Sequence, residues 1–213
     1  MTVARLFAVL ALACLACALA HPGLAQDGAG ANTAAPEALA GPALLAALRA
    51  GGYVLYLRHT STDFGQSDAP TSDYANCATQ RNMTDAGRAE ARAIAAALQS
   101  LRIPIGTVLA SPWCRTMETG RLAFGAATPS LAVRGGPARP DQPDRYAELR
   151  ALLGTPVARG TNVAIASHGN PFRAVAGPPH LAEGETAVVE PLGEGRFRIV
   201  ARIPKDGWAG LQR

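Results

Sequence analysis

Two patterns of apolar and polar positions alternate along this chain. Short unbroken apolar runs suit strands buried on both faces. They occur at Tyr53-Val54-Leu55-Tyr56-Leu57, Thr107-Val108-Leu109-Ala110 and Asn162-Val163-Ala164-Ile165-Ala166. Between them, apolar residues recur at helical spacing. Leu39, Leu44, Leu45 and Leu48 predict a helix from Pro36 to Ala50, ended by Gly51-Gly52. Thr84 predicts the cap of a helix from Asp85 to Leu101, with Ala91, Ile94, Ala95 and Leu98 on one face. Ser111-Pro112 places a capping hydroxyl before a proline, which predicts a helix running on to Phe124. Asp144 to Leu153 is a further helical pattern followed by Gly154, and Asn170-Pro171 repeats the cap-plus-proline start. Thr186 to Pro191 and Arg196 to Ile203 read as two strands joined by Gly193-Glu194-Gly195. No internal repeat is visible.

Strands alternating with helices predict an α/β protein, a three-layer α/β/α sandwich with a mainly parallel central sheet. Ligands of such sheets bind outside the carboxyl ends of the strands. Two stretches have neither signature: Thr60 to Asn82, polar and rich in turn residues, and the Gly- and Pro-rich 125–143. A loop as long as the first, inside a compact domain, is usually functional or a lid.

The start of the chain bears on its compartment. Arg5 precedes an apolar run from Leu6 to Ala20, followed by two small-residue cleavage patterns, Ala18-Leu19-Ala20 and Gly23-Leu24-Ala25. This predicts a secretory signal peptide over 1–25, a flexible mature N-terminus over 26–36 and one domain over 37–213. The run is shorter than the ~20 apolar residues of a spanning helix. A retained anchor, or a lipid anchor at Cys17, is the weaker alternative. The protein is thus expected to be exported, to a periplasm or beyond the cell. Of four cysteines, Cys14 and Cys17 fall in the signal and Cys77 and Cys114 remain. A pair in an oxidising compartment favours a disulfide over two separate buried thiols.

Composition narrows the partners. The chain of 213 residues is 48% hydrophobic and 17% charged, which is a globular composition. Its net charge of +4 includes Arg5, and the arginines are scattered with no interleaved aromatics. Nucleic acid is therefore not an expected partner. Gly28 and Gly30 follow no strand, so they are no dinucleotide loop. The mature chain has no C-x-x-C and few histidines, so no metal site or cofactor is expected. Oligomeric state is not legible.

Three clusters fall at predicted strand ends: Leu57-Arg58-His59-Thr60, Ser111 to Thr119, and Ser167-His168-Gly169-Asn170. Singly, each has a bland reading; Arg115, for example, could simply pair with Glu118 at helical spacing. Together they bring two histidines and two arginines to one edge of the sheet. That set suits phosphoryl transfer. Arg58 and Arg115 supply planar forks for a phosphate, and Arg115 lies near a helix start that favours an anion. A neutral imidazole can attack phosphorus, and nearby guanidinium groups disfavour its protonation.

Arg58-His59-Thr60 after an apolar strand resembles the Arg-His-Gly signature of the histidine phosphatase superfamily, which includes the cofactor-dependent phosphoglycerate mutases. Arg81 to Arg88 resembles that family's Arg-x-Leu-Thr-x-x-Gly segment. Ser111, Arg115 and Thr119 fit its Ser-x-x-x-Arg-x-x-x-Thr helix, and Ser167-His168-Gly169 its second-histidine motif. The resemblance spans 52–203 and points to the small branch of the family. It implies a phosphoglycerate mutase-like fold, His59 as phosphorylated nucleophile, and a phosphate pocket of Arg58, His59, Arg115 and His168. Gly169-Asn170 after His168 departs from the His-Asp of the acid phosphatase and phytase branch, so that branch's aspartate donor is not expected. Some carboxylic acid should protonate the leaving oxygen. Asp141, Asp144, Glu148, Glu183 and Glu185 are candidates, with Glu185 preferred, while Glu118 reads as structural. A Cys77–Cys114 bridge would pin the long loop against the Arg115 helix. The expected function is metal-independent hydrolysis of a small phosphomonoester outside the cytoplasm. The alternatives are a non-catalytic phosphate-binding protein and a phosphohistidine-protein phosphatase.

Overall fold

The computed structural model describes residues 38–69, 73–135 and 144–213. The expected signal peptide, the 26–36 segment and Asp141 lie outside the described residues. The sheet is built around β1 (Val54–Arg58), whose residues Val54, Leu55, Tyr56 and Leu57 are all at most 1% exposed. Alternate side chains of a strand point to opposite faces. Leu55 and Leu57 accordingly join one apolar cluster, and Val54 and Tyr56 the other.

β1 pairs in parallel with β4 (Asn162–Ser167), which pairs in parallel with β2 (Ile105–Ala110), and β2 with the short β3 (Thr128–Pro129). On its other side β1 pairs antiparallel with β5 (Thr186–Gly193), and β5 with β6 (Arg196–Ile203). The spatial order is β3-β2-β4-β1-β5-β6. The expected mainly parallel sheet is therefore present, with an antiparallel hairpin at one side. Leucines of α1 (Gly41–Ala50), the apolar stripe of α2 (Asp85–Ser100) and Ala123 of α3 (Cys114–Phe124) cover one face, joined by Trp208 and Leu211. Leu149 and Leu153 of α4 (Ala147–Gly154) and Phe172 of α5 (Gly169–Ala176) cover the other. This is the three-layer sandwich expected.

Local signals fared unevenly. Thr84 caps α2, its hydroxyl accepting from the Gly87 N–H at 3.0 Å. Gly87 also packs on the loop after β1: a Cβ there would run into the backbone carbonyl of Ser61. The two cap-plus-proline signals were misplaced. α3 begins at Cys114, with Trp113 in the cap position and no side-chain cap, and α5 begins at Gly169, with His168 in the cap position. In both places the polar side chain serves the site described below.

Asn162, fully buried at the start of β4, locks several elements together. Its amide donates to Leu48 O at 2.8 Å and to Pro104 O at 2.9 Å, and its carbonyl accepts from Tyr53 N–H at 3.2 Å. Among the described residues no helix is long and apolar enough to cross a membrane. Replacing Asn162 with Leu leaves Tyr53 N–H without its acceptor and removes one of the two hydrogen bonds made by each of Leu48 O and Pro104 O. The expected loss is roughly 2–4 kcal/mol of stability, read by denaturant unfolding with unchanged m.

Candidate active site

The parallel register decides where the chemistry falls. Arg58 stands beside Ser167, and Ala110 beside Ala166, so β1, β2 and β4 end together. The next residues, His59, Ser111 and His168, thus come to one edge. Two backbone bonds fix the turn-out: His59 N–H donates to Ser167 O, and Ser111 N–H to Ala166 O, both at 2.9 Å. Because β5 is antiparallel, the segment before it arrives at this same edge, where Gly184 N–H donates to Arg58 O and His59 O.

A cavity of about 590 Å³ opens there. Arg58, His59, Arg115 and His168, all expected in a phosphate pocket, line it together. So do Arg81, Arg134 and His180, with Asp68 as the only carboxylate among the described lining residues. His59 is 2% exposed, His168 7% and Arg115 5%. The two imidazoles meet edge to face, ring centres 5.5 Å apart.

His59 is oriented by its Nδ1, which lies 3.0 Å from Thr60 O. A carbonyl only accepts, so Nδ1 carries the hydrogen and Nε2 keeps a free lone pair. Burial pushes the His59 ring down to about 3. The Thr60 carbonyl bond opposes this, while the charges of Arg115, Arg58 and Arg81 add to it. His168 is also driven well below the usual histidine value, first by burial and then by His59 and the same arginines. Both rings are neutral near pH 7. His168 Nε2 is 2.9 Å from Ser111 Oγ, and His168 O accepts from the Tyr56 hydroxyl at 2.8 Å. Ser111 is thus a partner of the second histidine, not a helix cap. Thr119 supports the first: its hydroxyl donates to Arg115 O at 2.7 Å and accepts from Thr60 N–H at 3.4 Å.

The cations are incompletely partnered. Arg58 Nη1 donates to Leu181 O at 2.6 Å, and Arg115 Nη1 and Nη2 donate to Asp68 at 2.8 and 3.0 Å. The Nε–H groups of Arg58, Arg81 and Arg115 are buried with no hydrogen-bond partner. Buried orphan donors are rare in folded proteins. The arginines that carry them line one cavity with a single carboxylate among its described lining residues, a charge balance that fits an anion site. Among the described residues, no three His, Cys, Asp or Glu side chains are grouped to hold a metal.

The expected carboxylic acids are placed elsewhere. Glu185 does not line the cavity; it accepts from Ala182 N–H at 2.7 Å and pairs with Arg202 at 3.6 Å. Asp144 pairs with Arg150, and Glu148 is exposed. Glu183 lies on the Nδ1 side of His59, 3.7 Å from that nitrogen and 3.8 Å from Arg58, held by the Thr62 hydroxyl at 2.7 Å. It supports the Nδ1–H form of His59. Glu118 pairs with Arg88 across α2 and α3, not with Arg115. Sequence reasoning missed Asp68 and His180. Asn170, expected as a cap, meets His180 Nε2 at 3.0 Å, and a Cβ at Gly169 would fall inside the His180 ring. A carboxylate inside an anion site carries no local signature, and His180 sits in a segment with no periodic pattern.

Cys77 and Cys114 form the expected disulfide, with Cα atoms 5.7 Å apart. It ties the long loop to the first residue of α3, beside Arg115. Gln80 reinforces the tie, accepting from Cys114 N–H at 2.8 Å and donating to Tyr74 O at 2.9 Å.

No protein-family model matches the chain, and no curated protein matches it. Solved structures do. The protein histidine phosphatase SixA in complex with tungstate is 22% identical at a TM-score of 0.50, covering 72% of this chain and 97% of its own. A phosphoserine phosphatase mutant from Entamoeba histolytica in complex with phosphoserine is 12% identical at 0.51, covering 73% and 98%. Mycobacterial glucosyl-3-phosphoglycerate phosphatase in complex with inorganic phosphate is 16% identical at 0.51, covering 71% and 96%. The chain has the fold of these histidine phosphatases, the phosphoglycerate mutase-like α/β sandwich.

Two outcomes are expected. Nitrogen-15 spectra should show His59 as the Nδ1–H tautomer, neutral at pH 5, and His168 neutral at pH 7. Their folded-state values lie below the unfolded ~6.5, so the unfolded chain takes up protons first as pH falls. The stability they contribute is full above about pH 6.5 and is lost progressively toward the folded-state values. The Cys77→Ser, Cys114→Ser double variant should lose roughly 4 kcal/mol, the chain-entropy value for a bridge of this span, measured by denaturant unfolding without reductant.

Proposed function

We propose that this chain is a member of the histidine phosphatase superfamily and hydrolyses small phosphomonoesters through a phosphohistidine on Nε2 of His59. The observation that carries this reading is a buried neutral imidazole with a free Nε2, in a cavity lined by Arg58, Arg81 and Arg115. The shared fold with phosphatases crystallised with phosphoserine, phosphate or tungstate supports it.

The steps follow from the residues. Arg58, Arg81 and Arg115 receive the phosphoryl oxygens, and His168 donates a further hydrogen bond to them. These donors are already in place, so charge spreading onto the oxygens in the transition state meets a preorganised field. Nε2 attacks phosphorus in line as the bond to the leaving oxygen breaks. The ring becomes cationic, and its Nδ1–H is held by the Thr60 carbonyl with Glu183 behind it. Water then attacks phosphorus, the P–N bond breaks, and inorganic phosphate leaves with His59 neutral again.

Export belongs to the same proposal. The N-terminal apolar run fits a signal peptide, and a bridge such as Cys77–Cys114 persists in an oxidising compartment. The site is then one for extracytoplasmic phosphate esters.

Purified protein should turn over p-nitrophenyl phosphate. His59→Ala should lower kcat/KM by at least ~10³-fold, and Arg115→Ala by ~10²–10³-fold. Quenching turnover in base should trap phosphate on His59 of the wild type. Undiminished turnover by His59→Ala would sink the proposal.

A further inference from the structure

On the proposed phosphatase reading, the acid that serves the leaving group still has to be found, and the structure offers one carboxylate in the right place. We infer that Asp68 is the proton donor to the leaving oxygen, and that the seat it occupies on Arg115 is the one the substrate phosphate takes.

Three observations converge. Asp68 is the only carboxylate among the described residues lining the cavity. The other acids near this edge are engaged elsewhere: Glu183 behind the nucleophile, Glu185 on Arg202, Glu118 on Arg88. Second, the Asp68 carboxylate spans both terminal nitrogens of Arg115, at 2.8 and 3.0 Å. A bidentate fork suits phosphate as well as carboxylate, so an ester that uses this fork must displace Asp68. Third, the displaced side chain stays close. Its Oδ1 also accepts from Arg81 N–H at 2.9 Å, and the neighbouring Ala69 N–H is tied to Thr79 O at 2.9 Å. Asp68 is 32% exposed, so it exchanges protons with solvent.

The direction of attack fits. His59 is nearly inaccessible to solvent, so in-line displacement sends the leaving group away from it into the cavity that Asp68 also lines. Protonation follows from the exchange of partners. Burial alone would raise the Asp68 carboxyl, but hydrogen bonds from Arg115 and Arg81 N–H, with the Arg115 charge, hold it low. A phosphate dianion removes the Arg115 partner and places negative charge beside the carboxyl, and both changes favour the protonated acid. As the Nε2–P bond forms and the P–O bond breaks, the Asp68 proton goes to the leaving oxygen and an alcohol departs. The Asp68 carboxylate then takes a proton from the water that attacks the phosphohistidine. The ester plus water gives alcohol plus phosphate, and Asp68 ends as it began.

The test is a leaving-group series of p-nitrophenyl, phenyl and alkyl phosphates, with Asp68→Asn and Asp68→Glu beside wild type. A good leaving group needs little protonation. Asp68→Asn should therefore lose only ~10-fold with the p-nitrophenyl ester but ~10³-fold with the alkyl ester, within the range of general acid catalysis. Asp68→Glu should recover part of the alkyl activity. Inhibition by orthovanadate should be as tight or tighter in Asp68→Asn, because the competing carboxylate is gone. An equal loss across the series, or weaker vanadate binding, overturns the assignment while leaving the phosphatase reading intact. A wild-type protein inactive on all three esters overturns both.

Discussion

Everything in this site depends on positive charge buried without a full set of acceptors. Arg58, Arg81 and Arg115 line a cavity with one carboxylate, Asp68, among its described lining residues, and their Nε–H groups are buried without a partner. An unmade buried hydrogen bond costs about 1–3 kcal/mol, more for a charged group, so the cluster is held at some expense to stability. The same field explains why His59 is neutral: burial and cations act on the ring in the same direction. A cluster of cations with one carboxylate among its described neighbours is one that an anion balances.

The sheet makes that arrangement possible and was largely legible in the sequence. Tyr53 to Leu57 and Asn162 to Ala166 had to be central strands, because continuous apolar runs need cover on both faces. They differ from β1 and β4 only by a residue at their ends. Once those strands are neighbours in parallel, His59 and His168 must meet, since each is the first residue past a strand end. That is why a constellation spread over more than a hundred positions could be anticipated from three short motifs.

What the sequence hid lies in contacts between segments with no regular pattern. Ser111 and Asn170 each stand before or beside a proline, the grammar of a helix start, and each side chain is used by a histidine instead. The local signal was physically sound, but a tertiary hydrogen bond to an imidazole, buried at His168 and exposed at His180, outweighed it. Glu185 looked accessible to the site from its position before β5. The choice between Glu183 and Glu185 was made by which one faced Arg202 and which faced Thr62 and His59. Asp68 was invisible for a different reason. Its meaning comes from Arg115, 47 residues away, and from a loop held against α3 by Cys77–Cys114 and Gln80.

The loop and the strand ends therefore divide the work. On the proposed reading, strand ends set the nucleophile and the cationic field, which suit phosphate esters in general, and the loop sets what competes with phosphate. Asp68 offers Arg115 two oxygens and one negative charge, and it leaves the Nε–H groups of Arg58 and Arg81 unmet. On that reading a bound phosphate ester brings three terminal oxygens and about two charges, so it can displace Asp68 from Arg115 and still offer oxygens to the other arginines of the cavity. A simple carboxylate ligand matches only what Asp68 already provides, so the loop's own carboxylate favours phosphate over carboxylates at this seat.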